Sequence, residues 1–314
     1  MTFPLCLGLD TSNYTTSVAL FDGRTARNVG ELLSVPEGGL GLRQSDALFQ
    51  HIRQLPMLFA RLREEGLPQR PLAAVGASTR PRAVAESYMP CFLAGSSQGQ
   101  ALAHALNIPF YPCSHQQGHL AAAAWSAGRL ELLDRPHLAW HLSGGTTELL
   151  YVEPEGHTVK ALRIGGTTDI SAGQLIDRAG VLLGLPFPAG KALDALYGGE
   201  SIGTPFRVKL NDLTFSLSGM ENKVKEMAQG GAEKERIARF VLDTVAETVR
   251  RTTAAALERY PGLPVLCSGG VASNSVLRRA MKDAVFASPE CSADNALGVA
   301  ILAYRAKEKE MDDD

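Results

Sequence analysis

The sequence has no excess charge of either sign. It carries 31 Lys and Arg residues against 33 Asp and Glu, a formal net charge of -2. That balance argues against a chain that holds nucleic acid by bulk basicity, while leaving room for a local basic patch or a partner that supplies one. Cysteine is scarce and unpatterned. Cys6, Cys91, Cys113, Cys267 and Cys291 are odd in number, widely spaced and free of any CxxC pair. This argues against a disulfide framework and fits a reducing cytoplasm. No apolar run approaches about 18 residues, so no membrane span is expected. The N-terminus lacks the basic start and apolar core of a secretory signal. No Walker A, GxGxxG or HExxH motif occurs, and no low-complexity tract interrupts the chain.

What is there is an ordinary globular composition. Of 314 residues, 45% are hydrophobic and 20% charged, which rules out a mainly disordered chain, a collagen-like repeat or a coiled coil. A chain of this length buries roughly 75% of its unfolded surface, and two domains are the first expectation. Strands are read at 5–9, 17–21, 72–77 and 109–112, with helices over 45–65 and 95–106. A second unit begins near Arg135-Pro136. There, 137–141, 142–147 and 148–152 repeat the strand, polar turn, strand layout of the N-terminus, as an internal duplication would. Helical spacing returns at 173–183 and 233–257. A strand at 264–267 turns through Ser268-Gly269-Gly270 into a helix at 274–282. The expected division is a first lobe over 1–130, a second over 131–306, and a frayed charged tail at 307–314.

Three turns stand out, at 10–16 (DTSNYTT), 143–147 (SGGTT) and 268–274 (SGGVASN). Each follows an apolar strand, and small hydroxyl residues with open N–H groups suit phosphate oxygens. The third also leads into a helix N-terminus. Any one of them alone reads better as a simple turn that needs Gly and Ser. Together, in this order, they fit a nucleotide cleft between two related halves, the plan of the actin/Hsp70/sugar-kinase superfamily. The expected fold class is therefore α/β, a two-lobed actin/Hsp70/sugar-kinase (ASKHA-like) fold with a duplicated mixed sheet flanked by helices.

His115 and His119 are four residues apart on an expected helix, so both can reach one ion. Imidazole suits Zn or Fe, and a carboxylate should complete the set. Spacing does not identify that third ligand. Asp294 is a candidate because it precedes the apolar run 297–304; helix N-cap is its competing role.

These residues carry a pattern that resembles the tRNA N6-adenosine threonylcarbamoyltransferase family, long labelled O-sialoglycoprotein endopeptidases. The markers are Gly8-Leu9-Asp10-Thr11-Ser12, Ser114 through His119 with Leu120-Ala121, and Ser143-Gly144-Gly145. Asp177 with LLGLPFP (182–188), Phe215-Ser216 with Ser218-Gly219, 268–274 and Asp294-Asn295 complete them. The resemblance runs from about Leu7 to Tyr304.

It implies a divalent metal (Fe or Zn) on His115, His119 and Asp294. Substrate contacts map to Leu142, Ser143, Gly144, Gly145, Gly190 and Asn274, with Asp177 as the catalytic candidate. The implied substrate is an adenylate, threonylcarbamoyl-AMP, with ATP or AMP as related ligands. Its acyl group passes to the exocyclic amine of a tRNA adenosine beside the anticodon, and AMP leaves. Partner subunits of a threonylcarbamoyl-transfer complex are implied as well. The chain departs from the family at Asn13, Tyr14 and Thr15 in the first turn, at Gln117 between the histidines, at Thr146, and at Arg80-Pro81-Arg82. These departures keep open a non-catalytic nucleotide-binding or scaffold paralogue, and a kinase of the same superfamily stands third. If tRNA binds, Lys223, Lys225, Lys234, Arg236, Arg250 and Arg251 are candidate phosphate contacts.

Overall fold

The computed structural model of the chain describes residues 3–12, 14–35, 42–64, 70–198, 205–291 and 295–313. These fall into two compact units. The first holds β1 (Leu5–Asp10), β2 (Thr15–Phe21), β3 (Ala26–Leu32), α1 (Gln44–Glu64), β4 (Leu72–Arg80), α2 (Phe92–Leu106), β5 (Phe110–Ser114) and α3 (His115–Ser126). The second holds β6 (His137–Leu142), most of β7 (Thr147–Glu155) and β8 (Thr158–Thr167), then α4 (Ala172–Leu182), α5 (Gly190–Leu196), β9 (Leu210–Asn211) and β10 (Thr214–Phe215). It continues through α6 (Ser218–Gln229), α7 (Lys234–Arg259), β11 (Val265–Ser268), α8 (Ser275–Ala280) and β12 (Val285–Phe286). The closing helix α9 (Leu297–Asp313) and the hairpin tip Glu153–Ala161 belong to the first unit.

The duplication expected from the strand pattern is visible in the topology. The first sheet runs β3-β2-β1-β4-β5, and five strands of the second run β8-β7-β6-β11-β12. In both, the leading pair is an antiparallel hairpin, β1 with β2 and β6 with β7. In both, the first strand then pairs in parallel with a strand reached through helices, β4 or β11. The second sheet adds β10 and β9 beyond β8. Its core packs Trp140, Leu142, Leu149 and Phe215 on the inner faces of α4, α6 and α7. Buried Trp140 donates its indole N–H to Thr253 Oγ1 at 2.8 Å, which fixes α7 on the sheet without leaving a polar atom unpaired.

Two strands escape the hydrophobic pattern. β3 buries only Val29 among its seven residues, because it is the sheet edge and needs a single apolar anchor. β8 alternates poorly for a different reason: its start lies in the hairpin tip. Within the charged tail expected to fray, α9 continues as helix to Asp313. Lys307 pairs with Glu310 one turn on, and Lys309 Nζ donates to the Gly156 carbonyl oxygen. The start of α9 is pressed onto α3. A Cβ on Gly298 would lie 1.7 Å from the Gly118 carbonyl oxygen, so only glycine permits this approach. The helix cap there is Asn295, whose Oδ1 accepts the Leu297 N–H at 3.1 Å.

Among the described residues, no helix is long and apolar enough to cross a membrane. The cysteines are free thiols. Burial pushes the Cys6 and Cys267 thiols up to about 12 and Cys113 higher still, so none of these three is a thiolate nucleophile near neutrality.

Candidate functional site

The first unit places the histidine pair at the start of α3. Ser114 caps that helix: its Oγ accepts the Gln117 N–H, and Gln117 Oε1 accepts the Ser114 N–H. Gln117 also donates through Nε2 to the Val159 carbonyl oxygen at 2.7 Å. The neutral residue between the two histidines is thus a buried structural group. The helix turn brings His115 Nε2 and His119 Nε2 to 2.8 Å from each other.

Sequence reasoning missed what stands behind them. Asp10, at the end of β1 and fully buried, accepts a hydrogen bond from His115 Nδ1 at 3.1 Å. The same carboxylate accepts the Ser12 hydroxyl at 2.7 Å and the Ser78 hydroxyl. A buried carboxylate on Nδ1 assigns the proton to that nitrogen and leaves the Nε2 lone pair facing His119 Nε2, and a carboxylate so placed orients the imidazole. Further back, His51 Nδ1 lies 2.7 Å from Thr16 Oγ1, and Thr16 in turn donates to Gln54 Oε1. His51 is fully buried, and burial holds its pKa down to about 4 against the charge of Asp10. The DTS motif signalled a phosphate turn. In the fold its hydroxyls face inward: Thr11 Oγ1 donates to the Cys91 carbonyl oxygen and accepts the Gly95 N–H.

Two imidazoles on one helix face, one backed by a carboxylate, are donors of the type that suits a borderline divalent cation, while their 2.8 Å separation is that of a hydrogen bond between the two rings. Asp294, the expected third ligand, and Asn13 lie outside the described residues. Among the described residues, no three His, Cys, Asp or Glu side chains form a set able to hold an ion.

The second unit contains a cavity of about 590 Å³. It gathers Gly144, Asp177, Gly190 and Asn274 of the expected substrate residues, together with Gly173, Gly270, Ile176 and Val271. Leu142, Ser143 and Gly145 are not on its wall; Leu142 is buried in the core. The turn before β7 closes on itself, with Ser143 N–H to the Thr146 oxygen and Thr146 N–H to Ser143 Oγ. Ser171 caps α4 and donates to the Gly144 oxygen at 2.6 Å. A Cβ on Gly173 would lie 2.4 Å from the Ser143 oxygen, so glycine lets the α4 N-terminus sit against this turn.

The remaining glycines have a different meaning. Cβ atoms on Gly144 and Gly270 would meet nothing within 4 Å, and one on Gly190 only Ile176 at 4.0 Å; none of the three has positive φ. The chain itself gives no steric reason for glycine there, and the space beside each stays open to the cavity.

The polar wall groups are partly engaged. Asp177 Oδ1 accepts the Ala189 N–H at 2.8 Å. Asn274 Oδ1 caps α8 through the N–H groups of Val276 and Leu277. Asp194 accepts both the N–H and the hydroxyl of Ser275. Lys191 and Asp194 went unnoticed in the sequence. Their signal was a cation three residues before an acid, directly after Gly190. Of the candidate tRNA-binding cations, Lys223, Lys225 and Arg250 pair with Glu226, Glu221 and Glu247, and Arg251 donates to the Val208 oxygen.

A duplicated mixed sheet with a glycine-walled cavity in its second half defines a protein of the actin/Hsp70/sugar-kinase fold. Solved structures share that fold. HypF in its phosphate- and nucleotide-bound form superposes with a TM-score of 0.61 at 14% identity, covering 98% of this chain and 56% of that one. A ROK family glucokinase from Streptomyces griseus, in complex with glucose and AMPPNP, gives 0.50 at 13% identity, covering 95% and 99%. Sequence comparison goes further. The family described as TsaD, tRNA N6-adenosine threonylcarbamoyltransferase, matches residues 45–300. A protein of that name from Thermus thermophilus is 31% identical over 313 residues, spanning 96% of this chain and 93% of its own length. Another from Enterococcus faecalis is 36% identical over 216 residues, spanning 64% and 60%. The chain belongs to the tRNA N6-adenosine threonylcarbamoyltransferase family and is a transferase of tRNA processing.

Proposed function

We propose that the chain takes threonylcarbamoyl-AMP as donor and transfers its acyl group to N6 of a tRNA adenosine beside the anticodon, releasing AMP. The observation that carries this reading is the cavity of the second unit, whose Gly144, Gly190 and Gly270 hold space the protein does not use. In the reaction the N6 nitrogen forms a bond to the carbonyl carbon of the donor. The bond from that carbon to the phosphate oxygen breaks, AMP keeps the electron pair, and the amine loses one proton. Asp177 Oδ2 has no partner among the described residues, so this carboxylate can bind the amine and take that proton, or fix a ribose hydroxyl. His115, His119 and Asp294 would hold a divalent ion, iron or zinc, whose Lewis acidity would polarise the acyl carbonyl. Asn295 already caps α9, which supports Asp294 as a ligand rather than a cap. In the same reading, tRNA phosphates meet exposed cations such as Lys234 and Arg236, and partner subunits complete the assembly. The outward side chains Phe49, Ile52 and Met57 on α1 support such docking.

Asp177→Asn keeps an acceptor for the Ala189 N–H while removing the charge. Transfer from threonylcarbamoyl-AMP to unmodified tRNA should fall by about 10²–10³-fold with the unfolding midpoint unchanged. Transfer at the wild-type rate would remove Asp177 from the chemistry.

A further inference from the structure

We propose that Lys191 is the anion-recognising group of the second-unit cavity and holds the phosphate of the adenylate; the assignment rests on the nucleotide reading of that cavity given above. Three observations lead to it.

The first is the charge inventory of the wall. Its charged side chains are Asp177, Lys191 and Asp194. Asp194 is occupied at both oxygens by Ser275, and Asp177 at one oxygen by the Ala189 N–H. Lys191 has no ion pair and no hydrogen-bond acceptor among the described residues. The rest of the wall is glycine and apolar surface, with only Ser273 and Asn274 adding polar groups. Asn274 Oδ1 already serves α8. A ligand entering this space therefore meets one ammonium not already bound to protein, with the second oxygen of Asp177 as the other open charged group on a wall that is mostly glycine and apolar. That suits a ligand with a planar apolar portion and an anionic portion.

The second is the position of Lys191 in α5. It occupies the first turn, where the helix dipole disfavours a cation. An acidic or neutral residue would serve the helix better, so the ammonium is not there for local stability.

The third is what lies around it. Gly190, immediately before it, has no Cβ to screen the cavity, and Asp177 anchors the preceding residue, Ala189. The backbone that carries Lys191 is thus fixed to α4, while its four-carbon stem remains free to follow a phosphate.

The test is calorimetric titration of the full chain with AMP and with adenosine, for wild type, Lys191→Gln and Lys191→Arg. Wild type should bind AMP about tenfold more tightly than adenosine, with an advantage that shrinks at high salt. Lys191→Gln should lose that advantage, bind adenosine as wild type does and unfold at the same temperature, while Lys191→Arg keeps most of it. Equal weakening of AMP and adenosine would put the ammonium on sugar or base, and an undiminished AMP preference would leave it without a role. Either result overturns the assignment while the nucleotide reading stands. A wild-type protein that binds neither ligand overturns the reading and this assignment together.

Discussion

The hairpin turns β1–β2 and β6–β7 occupy equivalent places in two sheets of the same strand order, yet they are used in opposite ways. In the first unit the polar groups turn inward. Ser12 bonds Asp10, Thr11 bridges Cys91 and Gly95, and Asp10 reaches His115 across 105 residues of sequence. That turn buttresses side chains. In the second unit Ser143 and Thr146 close the turn between themselves and leave Gly144 open to a cavity. That turn offers backbone. The two halves share one strand scaffold, and the placement of a few hydroxyls leaves a buttressed imidazole pair in one and an open cavity in the other. Removing the charge of Asp10 should therefore damage the first, and added volume at Gly144 the second.

The largest effect should follow from losing both imidazoles. His115→Ala with His119→Ala should abolish stoichiometric uptake of Zn or Co by the purified chain, measured by equilibrium dialysis with elemental analysis. AMP affinity should be unchanged. Uptake at wild-type stoichiometry would place the ion elsewhere.

Acid should act on the support behind that site. His51 titrates at about 4 in the folded chain, below the ordinary histidine value of 6.5. The unfolded chain therefore binds the proton first as pH falls. The stabilising contribution is complete above about 6.5 and is lost down to about 4, of order 3 kcal/mol over that window. His51→Asn should flatten the dependence of the unfolding midpoint on pH between those values; an unaltered slope would assign it to other groups.

Asp10→Asn keeps shape and removes charge. It should weaken Co binding by about 10–100-fold and leave AMP affinity alone. Equal metal affinity would mean the Asp10–His115 contact does not orient the imidazole. The smallest expected effect is the complementary one. Gly144→Ala should weaken AMP by roughly tenfold through added volume, with no loss of stability, because the new methyl group meets no protein atom within 4 Å. Loss of metal uptake in that variant would erase the distinction between the two sites.

Another acidic group shows how a loop is held without either site. Asp169 is penalised by burial, but the Ser216 hydroxyl and the Leu217 and Ser218 N–H groups hold its carboxyl well below the usual range. This carboxylate ties the Phe215-Ser216 marker to the end of β8. The marker was visible in the sequence; its anchor was not.

That contrast recurs across the molecule. The apolar strands and amphipathic helices were legible because burial imposes a period, so the helix expected at 45–65 is α1 and that at 233–257 is α7. The glycine turns were legible as turns. Their division of labour was not, because it depends on partners far away in sequence: Asp10 with His115, Gly173 with Ser143, Gly298 with Gly118. The histidine pair was legible because a helix makes four residues one face. Gln117 read only as a departure from the family between the two histidines; its capping bond and its bond to Val159 give it a structural role. β3 gave no signal because an edge strand with one buried side chain has no pattern to read.

The most direct measurement follows both products of one reaction. Purified chain, with added Zn or Fe and unmodified tRNA, is given threonylcarbamoyl-AMP labelled in the threonyl group. AMP release and label in tRNA are counted in the same samples. Equal amounts of AMP and N6-modified adenosine, both lost in Asp177→Asn, are predicted. AMP released without label in tRNA, or labelled tRNA formed undiminished by the variant, would contradict the account.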